Sequence, residues 1–261
     1  MNDRKIYQKK YIFSGHVIEQ FTYENDQFRG FGPKNKKGKN RSGLSSDINR
    51  SNVLIRNRKN IIRLVNSNPD MNKFLTLTYD DNVEDLDKSN LDLKNFIKRV
   101  NYSIFKTKKS KLKYLAVIEF QERGSIHYHV VCNLPFVDFN DLSKLWGHGF
   151  IFINRIKNSN NDDISIDCDN IGAYISKYMT KDNDDPRLKG RKSYLFSRNL
   201  ERPSECIVNF DEVDYIEKQY NLPEPVNAYF SGESDYSYSY SSEYTGAVIV
   251  NQYNLKKRCK I

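Results

Sequence analysis

The chain has 261 residues, with 42 Lys and Arg against 33 Asp and Glu, a formal net charge of +9 and 38% hydrophobic residues, which predicts one soluble domain with one core. No run of 18 apolar residues exists, and the start MNDRKIYQKK is charged without an apolar stretch behind it, which argues against a membrane span or a secretory signal and for a cytoplasmic protein. Cys132, Cys168, Cys206 and Cys259 are far apart and form no CxxC pair, which fits free thiols and argues against a zinc ribbon.

In chain order, YIFSGHVIEQFTY (11–23) reads as a strand and GPKNKKGKNRSG (32–43) as a basic loop. That loop is no phosphate-cradling P-loop, because five residues separate Gly32 from Gly38 and Asn40, not Ser or Thr, follows Lys39. Leu54, Ile61, Ile62 and Val65 predict a helix over 50–66, FLTLTY (74–79) a short strand, and Phe96, Ile97, Val100 and Ile104 a helix N-capped by Asn90. YLAVIEF (114–120) and IHYHVVC (126–132), joined by QERGS, have the pattern of an antiparallel hairpin. A helix over 140–146, a strand over 149–156 and a helix over 171–181 follow. The expected class is α+β, with helices flanking a central antiparallel sheet. The Ser/Tyr-rich stretch 230–250 reads equally as an exposed hairpin strand or as a low-complexity tail.

Charge is uneven along the chain. Residues 1–200 carry +13, 201–245 carry −8 and 246–261 carry +4, so the basic body points to phosphate as a partner.

Two of the four histidines, His127 and His129, occupy one predicted strand at i and i+2 and therefore share a face. A hairpin pivoting on Gly124 would set Glu119 opposite His129 and Gln121 opposite His127. Two imidazoles and a carboxylate on one face suit manganese, magnesium or zinc with open positions; the plain alternative is a pair of polar residues on a solvent-facing strand. In AYISKYMTK (173–181), Tyr174, Lys177, Tyr178 and Lys181 form one helical stripe, with Asp169 or Asn170 available as N-cap. Such a stripe is ordinarily core packing, but two lysines make burial costly. A phenol with a cation beside it is a nucleophile for phosphoryl transfer. His148, between two glycines, and His16 read as structural or surface residues, and Glu122 falls in the turn or on the opposite face from His127.

FLTLTY, EFQERGSIHYH and YISKYMTK, in that order, resemble the three motifs of HUH endonucleases that start rolling-circle replication. The likeness is in particular to the two-tyrosine replication-associated proteins of small single-stranded DNA phages and plasmids, and WGHGF (146–150) and SRNLERP (197–203) are similar to that group as well. The resemblance implies an N-terminal strand and basic-loop extension (1–50), an HUH endonuclease domain with an RRM-like sheet (51–203) and an acidic, Tyr/Ser-rich C-terminal extension (204–261). It implies His127, His129 and Glu119 as metal ligands, Gln121 as an auxiliary group, Tyr174 and Tyr178 as nucleophiles and Lys177 as the active-site lysine. DNA contacts are expected from Lys181, Lys36, Lys37 and Lys39. Also implied are Mg²⁺ or Mn²⁺, no nucleotide cofactor, single-stranded origin DNA as substrate, a host helicase and DNA polymerase as partners, and the cytoplasm of a bacterial host. The histidines precede the tyrosines, which favours replication over a conjugative relaxase; a transposase of the same chemistry and a non-catalytic RRM-like binding module remain as alternatives. The chain length leaves no expected room for a motor domain.

Overall fold

The computed structural model describes residues 5–30, 46–157, 166–167, 171–179, 185–208 and 234–255. In chain order the elements are β1 (Lys5–Ser14), β2 (Val17–Arg29), α1 (Ser46–Asn66), β3 (Lys73–Leu77), α2 (Leu86–Ser103), β4 (Tyr114–Phe120), β5 (Ile126–Cys132), α3 (Phe139–Trp146), β6 (Ile151–Lys157), β7 (Ile166–Asp167), α4 (Ile171–Ser176), β8 (Tyr194–Phe196), β9 (Ser204–Val208), β10 (Tyr236–Ser242) and β11 (Gly246–Asn254). They divide into two compact units, residues 46–202 and the two chain ends, 1–45 with 203–261. The fold is α+β.

The central unit is a sheet of order β7-β6-β3-β5-β4-β8, antiparallel except for the β6/β7 pair. Helices cover both of its faces. On one face α2 and α3 bury Leu93, Phe96, Val100, Leu142 and Trp146 against Leu75, Leu77, Ile118, Ile126, Tyr128 and Val130. On the other, α1 and α4 bury Ile61, Leu64, Val65 and Ile175 against Phe74, Leu115, Val117 and Val131. Two covered faces explain why β4 and β5 are nearly continuous apolar runs and do not alternate. Helix α2 starts four residues earlier than its Asn90 cap would place it: the Asp85 carboxylate accepts from the Asp87 and Lys88 amides, at 2.8 and 3.1 Å. Asn90 instead accepts from the Tyr128 hydroxyl.

The unit made of the chain ends is an antiparallel sheet of order β10-β11-β2-β1-β9. The stretch expected as a single strand over 11–23 is a hairpin, broken at Gly15, whose φ of 60° suits the two-residue turn between Ser14 and Val17. The expected N- and C-terminal extensions are joined in this sheet, because β9 pairs with β1 and β11 with β2. The Ser/Tyr-rich segment contributes strand β10, with Tyr236, Tyr238 and Tyr240 forming a row of neighbouring rings.

Candidate functional site

The site is built on the hairpin β4–β5, at the centre of the larger sheet. Every residue of β5 is buried, and His127 and His129 are 8% and 5% exposed, so the solvent-facing reading of this pair does not hold. The register also differs from a hairpin pivoting on Gly124. Glu119 lies opposite His127, and Val117 opposite His129. Gln121 N donates to Ser125 O (2.9 Å) and Gly124 N to Gln121 O (2.7 Å), so the loop is Glu122-Arg123-Gly124 with Arg123 at its apex. Gly124, at φ 86°, is the last loop residue, the left-handed position of a three-residue hairpin. Gln121 therefore sits beside the turn and not across from His127.

Glu119 reaches diagonally along the ladder to the second histidine, its Oε2 lying 2.6 Å from His129 Nε2. His129 Nδ1 lies 3.2 Å from the Thr76 hydroxyl on β3, the strand that flanks β5 on its other side. A carboxylate on one ring nitrogen and a hydroxyl on the other hold the imidazole in one orientation. His127 Nε2 is buried and has no hydrogen-bond partner among the described residues. Burial pulls the His127 pKa below the ordinary imidazole value, against the opposing pull of Glu119 and with smaller downward effects from His129 and Arg123. Among the described residues, no three His, Cys, Asp or Glu side chains are gathered as a ready metal cage. The donor types still fit a divalent ion, since a buried imidazole nitrogen without a partner sits on the same face as a second imidazole and a carboxylate.

The tyrosines come from the element packed over this face. Helix α4 approaches α1 so closely that a Cβ on Gly172 would lie 2.6 Å from Ile62 Cα. The expected helix over 171–181 is α-helical only to Ser176 and continues as a 3₁₀ turn, Lys177–Met179. Tyr178 lies on His129 with ring centroids 3.7 Å apart and an interplanar angle of 23°. The Tyr174 and Tyr178 hydroxyls are 3.0 Å apart, and Phe74 packs against both rings and against His129. Burial, followed by the hydrogen bond from Tyr174 and the nearby Glu119 charge, pushes the Tyr178 pKa well above that of a free phenol. Lys177 is exposed. Lys36, Lys37, Lys39 and Lys181, and the two expected caps Asp169 and Asn170, lie outside the described residues.

His148 belongs to a different cluster. Its ring lies 5.0 Å from Trp146 and its Nε2 3.6 Å from Asp92, while the Trp146 indole donates to Thr78 O. This agrees with a structural role. Glu122 is exposed in the hairpin turn. Next to Glu119 an open cleft of about 860 Å³ runs over the turn, lined by Glu119, Gln121, Arg123, Gly124, Asp185 and Arg187 among others.

Residues 72–183 match the family model of the replication-associated proteins of the ORF2 and gene 2 protein type. The match takes in Phe74, Thr76, Glu119, both histidines and both tyrosines, and leaves out the sheet formed by the chain ends. It points to a rolling-circle replication-associated protein, and hence to DNA as the partner. No curated protein and no solved structure matches. Among the described residues, no helix is long and apolar enough to cross a membrane.

Sequence reasoning alone does not single out Thr76, Phe74, Arg123 or Arg187. For Thr76 and Phe74 a signal was present: in FLTLTY, positions 74, 76 and 78 share one strand face, so a phenylalanine and two threonines line up where an all-apolar strand would be expected. The two arginines owe their place to the loop that folds over the hairpin, which no periodicity marks.

Proposed function

We propose that this chain is a rolling-circle replication initiator of the HUH type, which cuts single-stranded origin DNA with a tyrosine and later rejoins it. The observation that carries this reading is the contact between the two motifs: Tyr178 stacked on His129 at 3.7 Å, with the Tyr174 hydroxyl 3.0 Å from that of Tyr178. A nucleophile pair stands directly against the imidazole–carboxylate group, inside the segment that matches a replication-associated family.

In the proposed reaction a tyrosine oxygen attacks the scissile phosphorus, an O–P bond to tyrosine forms, and the bond to the 3′ oxygen breaks to leave a 3′-hydroxyl. The second tyrosine makes the later attack that closes the circle. The ester conserves the free energy of the broken phosphodiester, so rejoining calls for no nucleotide cofactor. His127, His129 and Glu119 would hold a divalent cation, Mg²⁺ or Mn²⁺, which when bound polarises the phosphate and offsets the charge developing on its oxygens. Thr76 and Glu119 orient His129, and Tyr178 screens that ring from water. With its pKa raised by burial, Tyr178 is neutral at physiological pH, so attack requires a cation beside the phenol, a role open to the ion and to Lys177. Unwinding and synthesis would come from a host helicase and DNA polymerase.

The test uses single-stranded oligonucleotides tiled across the replicon that encodes the chain, with Mn²⁺ or Mg²⁺ and full-length protein. Expected is metal-dependent cleavage of one oligonucleotide, with the 5′ end of the downstream fragment attached to protein and mapped to Tyr174 or Tyr178 by mass spectrometry. Undiminished cleavage by the Tyr174→Phe, Tyr178→Phe double variant would sink the tyrosine mechanism.

A further inference from the structure

We propose that Arg123, at the apex of the β4–β5 turn, grips a backbone phosphate of the single-stranded DNA on the turn side of Glu119 and His127. This rests on the reading of the chain as a DNA-nicking enzyme and adds a binding position beyond the histidines and tyrosines.

The guanidinium is already oriented. Its Nε donates to Gln121 Oε1 at 2.9 Å and Nη2 to the Tyr79 carbonyl at 3.4 Å, while Nη1 has no partner among the described residues. Arg123 is exposed and makes no ion pair among them. Pre-orientation matters because a planar fork held in place loses little freedom when it meets phosphate oxygens.

The other arginine of the cleft is used differently. Arg187 gives Nε and Nη2 to the Asp185 carboxylate at 2.9 and 2.6 Å, gives Nη1 to the carbonyls of Gly124 and Glu84 at 2.8 and 3.2 Å, and lies 3.9 Å over the Phe120 ring. It fastens the turn; Arg123 presents charge.

Position supplies the third argument. The cleft of about 860 Å³ begins at Glu119 and crosses the turn, so Arg123 and the proposed ion-binding carboxylate line one wall. Along β5 the face runs from His129, beneath Tyr178, to His127 and then to the turn. A strand whose scissile phosphate lies at the tyrosines and which continues along this face meets Arg123 next. The Arg123 charge is also close enough to His127 to act on it.

The experiment measures binding of the cleaved oligonucleotide by fluorescence anisotropy over a range of salt, with the full chain as wild type, Arg123→Gln and Arg123→Lys. Removing one phosphate contact to a single strand is expected to flatten the slope of log K against log[salt] by about 0.7, and the lysine variant is expected to restore it. In nicking assays Arg123→Gln is expected to raise KM about tenfold and to leave kcat within about twofold, as loss of uniform binding does. Methylphosphonate placed at each linkage in turn is expected to find one position that weakens wild type and leaves Arg123→Gln unaffected. An unchanged salt slope together with a fall in kcat would mean that Arg123 only shapes the turn, and would overturn the proposal. The absence of any such linkage would overturn it equally. Failure of wild type to nick would overturn the reading of function itself and is told apart by that control.

Discussion

Tyr178 lies flat on His129, 3.7 Å between ring centroids, while the Glu119 carboxylate holds the same imidazole through Nε2 at 2.6 Å. The nucleophile candidate and the ligand candidate thus share one packing contact. Truncating the tyrosine removes a wall of the site along with its hydroxyl. Tyr178→Phe is expected to keep the stack and the melting temperature within about 2 °C, whereas Tyr178→Ala is expected to cost about 2 kcal/mol, because this half-buried ring loses part of what a fully buried aromatic would. Thermal denaturation of both variants, read beside adduct formation, separates the ring's structural role from the hydroxyl's chemical one.

Thr76→Val tests the orienting contact on His129. The side chain keeps its volume, and the 3.2 Å partner of Nδ1 is lost. An outer-shell partner of this kind is worth roughly 10- to 100-fold in metal affinity or activity. Metal titration should show a weakening of that order with little change in the unfolding midpoint; unaltered affinity would leave the Thr76 contact without a functional role.

Gly172→Ala probes how the tyrosines are brought to the sheet. The added methyl would meet Ile62 Cα at 2.6 Å and Ile62 O at 2.8 Å, backbone atoms that cannot swing aside. Overpacking of this kind costs about 1–3 kcal/mol, and here the relief available is to lift α4 away from α1. DNA attachment should fall by at least about tenfold while Mn²⁺ affinity, which depends on β4 and β5, stays within about twofold. Equal loss of both would show that α4 and the hairpin do not move independently.

The pH dependence of stability follows from His127. Its folded-state pKa lies below the unfolded value of about 6.5, because burial disfavours the imidazolium. The unfolded chain therefore binds the proton more tightly, and stability falls as the pH drops from about 6.5 through the lower folded value. In chelator, denaturant midpoints measured at pH 7.5 and pH 5 should differ more for wild type than for His127→Asn. An identical difference would place the acid sensitivity elsewhere.

Much of the site could be read from residue order. HYH guarantees two imidazoles on one strand face whatever surrounds them, because side chains alternate with period two, and Glu119 stands on the adjoining strand of a hairpin that its apolar runs announce. The pairing was less legible. Shifting the pivot from Gly124 to Arg123 changes Glu119's opposite number from His129 to His127, yet the carboxylate still bonds His129, since a glutamate reaches the diagonal neighbour. Turn chemistry decides such a shift, and a glycine at the end of a three-residue loop resembles, in sequence, a glycine at its centre.

What the sequence determined by itself is local: element types, the shared face of the histidines, the spacing of the tyrosines and the basic charge of the first 200 residues. Tertiary structure alone decided that the histidines are buried, that Tyr178 covers His129, that Thr76 completes its hydrogen bonds, and that the two chain ends close into one sheet. Each of these depends on contacts between residues far apart in the chain. Such contacts form where helices cover both faces of a sheet and where strands from opposite ends satisfy each other's backbone hydrogen bonds, and periodicity within one segment carries no record of either.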